Sequence, residues 1–395
     1  MTGRGAEGAA MKSFKWARFL LCGLPMLAGC ANFWQAPKTG GGGGGTTLSS
    51  GNFYVLNKST TSQIAGYNIA SGVLTALSGS PYAVTGQAFA IAVAPSGGFL
   101  YLSTTNGIYL YTIDATSGAL TAKSVIVQDL VSAAIAVDPS GKWLLDASAL
   151  GLLSAIPITS TGVEDTTRQV QALTALSGSA VQQMAISPDG ALVAVALGAG
   201  GTQAFPFNSA NAAPIGTAFS PTIAVTSASG GAAVSVAVDP QNRLLYVGET
   251  AVFPTSTTNS GGLRVFTIAA TGLTEISGSP YASGGTAPHA IQPKSTGDFV
   301  YVANWAGSST GNVTGFQLST TSSTFSLAKL STTVPTGTQP VGLAEDAKDN
   351  FILTVSSGGS PYFDAYIFDT TTAGKLDAAV SGTTGTGPLA IAAEP

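Results

Sequence analysis

Ile135-Ala136-Val137-Asp138-Pro139-Ser140-Gly141 is the run that decides the fold. It is a short apolar strand followed by a turn. Asp suits the first turn position, Pro fixes φ at the second, and Gly suits the fourth. The run recurs as Ile91-Ala92-Val93-Ala94-Pro95-Ser96-Gly97, Met184-Ala185-Ile186-Ser187-Pro188-Asp189-Gly190 and Val236-Ala237-Val238-Asp239-Pro240. Weaker copies are His289 to Pro293, Leu343 to Ala347 and Leu389 to Ala393. The turn positions then fall at 95, 139, 188, 240, 293, 347 and 393, in steps of 44 to 54 residues. A period of this size is the signature of a stacked-repeat architecture.

Around each copy lie further strand-like runs. In the second repeat these are Ala90–Val93, Phe99–Leu102, Ile108–Ile113 and Leu120–Val127. The second run returns as Phe53-Tyr54-Val55-Leu56, Leu244-Leu245-Tyr246-Val247 and Phe299-Val300-Tyr301-Val302. Their nearly continuous apolar character is that of strands buried on both faces. Tyr54, Tyr101, Tyr246 and Tyr301 hold equivalent mid-strand places, which points to packing rather than to a binding ladder. Seven anchors imply seven four-stranded antiparallel blades. The first repeat lacks an inner strand, and Leu389 to Ala393 is a lone strand at the other end. The expected fold is therefore all-β, a seven-bladed β-propeller whose ring is closed by the C-terminal strand joining the N-terminal blade.

Composition agrees. Of 395 residues, 45% are hydrophobic and only 9% charged, so the chain is not of the disordered type. Val, Ile, Thr, Tyr and Phe are common, which favours strands. Residues 1–29 read as a signal peptide. Lys12, Lys15 and Arg18 precede a ten-residue apolar run, Phe19–Ala28, too short to span a bilayer. Leu27-Ala28-Gly29-Cys30 resembles the lipobox of bacterial lipoproteins, which implies cleavage before Cys30 and lipid on its thiol. Met11 is a second candidate start. Residues 30–51 form a lipid-anchored tether with six consecutive glycines, Gly40–Gly45, and 52–395 form the propeller.

Loss of residues 1–29 removes four bases (Arg4, Lys12, Lys15, Arg18) of 15 and one acid (Glu7) of 19, leaving a net charge of −7. An acidic exported chain with three arginines is a poor nucleic-acid binder. With Cys22 and Cys30 accounted for, no disulfide is expected. One histidine and no free thiol leave no zinc site and no metal, and no Gly-x-Gly-x-x-Gly run opens a helix. No cofactor is expected.

The IAVDPSG turns, Phe299-Val300-Tyr301-Val302-Ala303-Asn304, and runs such as Thr116-Ser117-Gly118-Ala119-Leu120-Thr121 resemble the lactonase-type seven-bladed propellers. So does Ser-Gly-Ser-Pro-Tyr-Ala, found at 78–83 and 277–282. That group includes propeller-form 6-phosphogluconolactonase and carboxymuconate-cyclising enzymes and overlaps with YVTN-type repeats. It commonly has a Pro-His pair entering an inner strand, which the resemblance places at Pro288-His289.

Counting from Pro293 puts His289 with Ile91, Ile135, Met184 and Val236. Counting from Phe299 puts it two places earlier, with Phe89, Ala133, Gln182 and Val234, near the channel mouth. Lactone hydrolysis needs a base and an oxyanion donor. His289 is the candidate base. Glu249 and Arg264, at the ends of neighbouring strands, are expected near the same rim, with Arg264 polarising the carbonyl or else simply paired with Glu249. Asn304 and Trp305 are the expected ligand-binding residues, on the face where blades five to seven carry long loops.

The leading expectation is a monomeric, membrane-anchored binding or scaffold module of the cell envelope. Its partner would be an envelope protein or a small carbohydrate-like ligand, with membrane contact through the lipid alone. The alternative is a lactone hydrolase.

Overall fold

The computed structural model describes residues 48–58, 61–128, 131–159, 168–173, 180–227, 230–307, 309–322 and 324–395. The expected signal peptide, Cys30 and most of the expected tether lie outside these residues. Among the described residues there are strands and turns and no helix.

Every blade is an antiparallel meander that runs from the axis to the rim. Blade one is Pro388–Ala393, Phe53–Lys58, Ser62–Ala70 and Val73–Ala76. Blade two is Ala88–Val93, Phe99–Thr104, Gly107–Ile113 and Leu120–Val127. Blade three is Ser132–Val137, Trp143–Ser148, Leu152–Pro157 and Gln169–Ala172. Blade four is Gln183–Ile186, Leu192–Ala196 and Thr202–Pro206. Blade five is Ala233–Val238, Leu244–Glu249, Gly262–Ala269 and Gly272–Glu275.

Blades six and seven share a strand. Ala287–Pro293, Phe299–Ala306 and Ser309–Thr321 lead to Thr324–Glu345. The last is the rim of blade six and the inner strand of blade seven, and Phe351–Gly359, Phe363–Phe368 and Leu376–Gly382 complete the sheet.

The seven inner strands form a ring, each neighbouring the next, with Pro388–Ala393 between the inner strands of blades seven and two. Closure runs through Phe53↔Ala393 to Asn57↔Pro388. Glu394 stands where Asp138 stands in blade three. Its amide bonds Asn52 O, and its carboxylate accepts from Asn52 Nδ2 at 3.0 Å.

Two expectations are corrected. Blade four has three strands, not four; bridges Thr202↔Ile223 and Phe207↔Ile215 take the rim's place. The rim segment carries Pro214 and Pro221, which have no N–H for a ladder. The sixth turn position belongs to Ser295 and not Pro293, because Gly297 N bonds Lys294 O as Gly141 N bonds Asp138 O. Pro293 is the last residue of its strand. By the same alignment Pro395, after Glu394, takes the seventh place instead of Ala393.

The turn carboxylates act as turns demand. Asp138 accepts from Ser140 N at 3.0 Å and Trp143 N at 2.6 Å, and Asp346 from Asn350 N at 2.8 Å and Phe351 N at 2.6 Å. No cluster of metal-ligating side chains occurs among the described residues.

The tyrosine column is buried. Tyr301 donates to Gly374 O at 2.9 Å, and the Tyr54 hydroxyl lies 2.7 Å from Gly118 O. Both carbonyls belong to the T-x-G turn of the next blade. Gly374 has φ +74°, and a Cβ there would collide with the Phe299 ring, so both backbone and space require glycine.

Candidate functional site at the channel entrance

Inner strands begin, and second strands end, on one face of the ring. On that face the inner strand carries a β-bulge in six blades that leaves one equivalent residue without a partner, and blade seven has a second shift at Gln339. The equivalent residues are Phe89, Ala133, Val234, His289, Val341 and Leu389. Gln182 holds the place in blade four, its amide bonding Ala196 O at 2.9 Å. The register counted from Phe299 is therefore the one the fold adopts. A bulge re-aims a side chain. All seven are partly or fully exposed, and His289 is half-buried between buried Pro288 and Ala290. The inner strand borders the axis, so the solvent these residues meet is that of the channel entrance.

His289 stacks on Trp305, with ring centroids 3.9 Å apart and planes at 27°. Trp305 is fixed on its other side, its Nε1 donating to Pro340 O at 2.8 Å, and its carbonyl accepts from Thr286 N and Oγ1, both at 2.9 Å. Ser235 Oγ bonds Pro288 O at 2.5 Å. No hydrogen bond to the His289 imidazole is found among the described residues. Burial without a charged partner lowers its pKa to about 4, so the ring is neutral at pH 7.

Glu249 and Arg264 join each other and not His289. Gly248 abuts the carbonyl of Pro288, but the next side chain along a strand points to the opposite face, so Glu249 turns towards blade four. There its Oε2 accepts from Thr226 N and Oγ1 at 2.9 Å, and its Oε1 from Arg264 Nη1 at 2.9 Å. Arg264 also gives Nη1 to Ala224 O and holds Glu275 through Nε at 3.0 Å and Nη2 at 2.6 Å. Burial alone would lower the Arg264 pKa, but its bonds to Glu275 and Glu249 outweigh that and raise it. Each guanidinium nitrogen is engaged, which leaves this group poorly placed to polarise a substrate.

Asn304 takes the same column as Glu249. It is fully buried, and its Nδ2 donates to Ser283 O at 2.9 Å, the segment leading out of the preceding blade. Asn57 does likewise to Thr384 O at 2.7 Å. These three side chains clamp neighbouring blades. Trp305 alone of the two expected ligand contacts is partly exposed. Gly307 to Gly311 has the letter spacing of a serine nucleophile elbow, but a strand follows it where the elbow needs a helix.

Sequence reading missed Val341 and Leu389 as members of the bulge column. The signal was present: each lies two residues before the Leu343 or Ile391 of a recurring strand.

No curated protein sequence matches the chain. Among solved structures, a periplasmic gluconolactonase of Pseudomonas aeruginosa superposes with a TM-score of 0.66 at 17% identity, covering 87% of this chain and 98% of that one. A provisionally assigned 6-phosphogluconolactonase of Bacteroides uniformis gives 0.66 at 16% identity over 87% and 98%. One from Bacteroides fragilis gives 0.65 at 16% over 88% and 99%. At such identities the likeness is one of fold. The model of the family described as lactonase, 7-bladed beta-propeller, matches residues 54–251, a stretch that ends before His289. Matched over half its length, the chain belongs to the lactonase seven-bladed β-propeller family.

Proposed function

We propose that the chain hydrolyses a cyclic ester, a sugar lactone or a related compound, at the channel entrance beside His289 and Trp305. The observation that carries this is His289: the sole histidine, neutral, half-exposed, without a hydrogen bond among the described residues, and set by a bulge at the entrance. Family membership supports a lactone as the substrate class.

In this reading Trp305 holds the imidazole plane and offers a flat wall to the ring of the ester. A His289 nitrogen takes a proton from water as the water oxygen attacks the lactone carbonyl. The tetrahedral oxyanion collapses, the ring C–O bond breaks, and the His289 imidazolium returns its proton to the leaving alkoxide, giving the open hydroxy acid and the neutral ring. For the oxyanion we assign the backbone N–H of Ile291. Its column mate Val236 points its N–H away from the second strand, where Gln183 Oε1 accepts it at 2.9 Å. Glu249, Arg264 and Asn304 keep the entrance in shape by clamping blades.

A binding module without chemistry is the second reading, favoured by the full engagement of Arg264. We place either activity at the cell envelope, on the strength of Leu27-Ala28-Gly29-Cys30. Turnover of simple lactones by the purified chain tests the proposal. His289→Ala should lower it by roughly 10²–10⁴-fold, the usual worth of a general base. Absence of turnover above the spontaneous rate in the wild type would sink the hydrolase reading.

A further inference from the structure

The two faces of the ring differ in charge. On the face with the strand-to-strand turns sit Asp138, Asp239, Arg243, Lys294, Asp346 and Lys348. On the entrance face, among the described residues, the connections between second and third strands and those leading into inner strands carry no carboxylate; Lys58 and Glu249 end their second strands there, and Glu249 is buried in its blade seam. The entrance column is apolar apart from Gln182 and His289: Phe89, Ala133, Val234, Val341 and Leu389. None of these is a cation, and Arg264 is spent within its blade seam.

A phosphate or carboxylate on a substrate would need a cation or an array of free donors to replace its water. An alkyl substituent needs only a dry wall, and the column offers one. Val234 and Val341 stand on the inner strands either side of that of His289, with Leu389 and Phe89 further round the ring, and Val341 and Leu389 lean on the seams of their blades. We infer that the entrance selects a cyclic ester bearing an uncharged, apolar substituent, and discriminates against phosphorylated or carboxylated lactones. This rests on the reading of the entrance as the ligand site. Lys58, exposed at the end of its strand, is the single cation among the described residues of those connections.

Lactams resist hydrolysis and keep the ring geometry, so they separate binding from turnover. We would titrate the full chain calorimetrically with δ-decanolactam, δ-valerolactam, gluconolactam and 6-phosphogluconolactam. Each methylene buried should tighten binding roughly fourfold, the equivalent of about 0.8 kcal/mol. δ-Decanolactam should therefore bind at least about tenfold tighter than δ-valerolactam, and the phosphate should not improve on gluconolactam. Val341→Lys, and independently Val234→Lys, should weaken δ-decanolactam about tenfold and favour the phosphorylated ligand, with unchanged melting as the check on folding. Tighter binding of 6-phosphogluconolactam by the wild type, equal binding of the two alkyl lactams, or no binding of any lactam would overturn the inference. Selective binding with no lactone turnover would sink only the hydrolase reading. Turnover without apolar selectivity would sink only this one.

Discussion

The hydroxyl of Tyr54 lies 2.6 Å from a carboxylate oxygen of Glu394, so residues 340 positions apart meet where the ring closes. Deleting residues 388–395 removes this contact and the ladder from Phe53 to Asn57. Leu389 and Ile391 are only half-buried, so each forfeits less than the roughly 1.5–3 kcal/mol of a fully buried side chain. The exposed edge of Phe53–Lys58 adds to that, against a total stability of about 5–15 kcal/mol. The truncated chain should aggregate or melt much earlier. Deleting residues 31–47 should leave melting nearly unchanged, since Ser49 and Ser50, which bond Asn350 and Ile69, are kept. Equal melting of the two truncations would rule out closure by the C-terminal strand.

His289 gives the fold an acid-sensitive element. Its pKa is about 4 when folded and near 6.5 when unfolded, so between those values the unfolded chain binds more protons. Its contribution is whole above pH 6.5 and is lost as pH falls to about 4, by about 3 kcal/mol at most. His289→Phe should remove that part of the slope. The readout is the difference between wild-type and variant denaturation midpoints across pH 4 to 7. A constant difference would contradict a buried neutral imidazole.

Arg264→Met leaves Glu249 buried with no cation. Breaking a buried pair in this way should cost about 3–5 kcal/mol. The double variant Glu249→Gln with Arg264→Met should recover part of that loss. Urea denaturation gives both numbers, and a single variant as stable as wild type would show the clamp to be idle.

Two glycines with the same backbone separate conformation from space. Gly72 and Gly374 both have φ +74°, but a Cβ at Gly72 meets nothing within 4 Å. Gly72→Ala should cost about 1–2 kcal/mol, the left-handed penalty alone. Gly374→Ala adds a collision with Phe299 and should cost at least about 1–3 kcal/mol more. Equal losses would mean that the Phe299 ring yields freely.

Anchoring is tested on Cys30. Cys30→Ser should move the protein from the membrane to the soluble fraction with its melting unchanged. Retention on membranes with the same lipid labelling would dispose of the lipoprotein assignment.

The repeat made the ring and its closure legible, because a run such as Ile135 to Gly141 states both a buried strand and its turn; the entrance column it offered only as one of two registers, and without Val341 and Leu389. What stayed hidden depended on single residues. Pro293 imitates a turn proline while sitting in the strand, and only hydrogen bonding at Lys294 reveals the shift. Glu249 is next to Gly248, which touches blade six. One step of strand alternation sends its carboxylate to blade four, away from His289. Periodicity placed these residues on one rim. The direction of each side chain is a matter of parity, and a bulge resets parity locally.

The unbroken strand Thr324–Glu345 gives the ring an uneven partition. Blades one to five meet their neighbours through side chains, connecting links and, between blades four and five, the single bridge Gly198↔Ala233, whereas blades six and seven hold one strand in common. If the ring opens, these two should stay together as a block while the remaining arc frays. Amide hydrogens of Thr324 to Glu345 and of their partners on both sides should then exchange with one shared opening energy, slower than the rim strands of blades one to five.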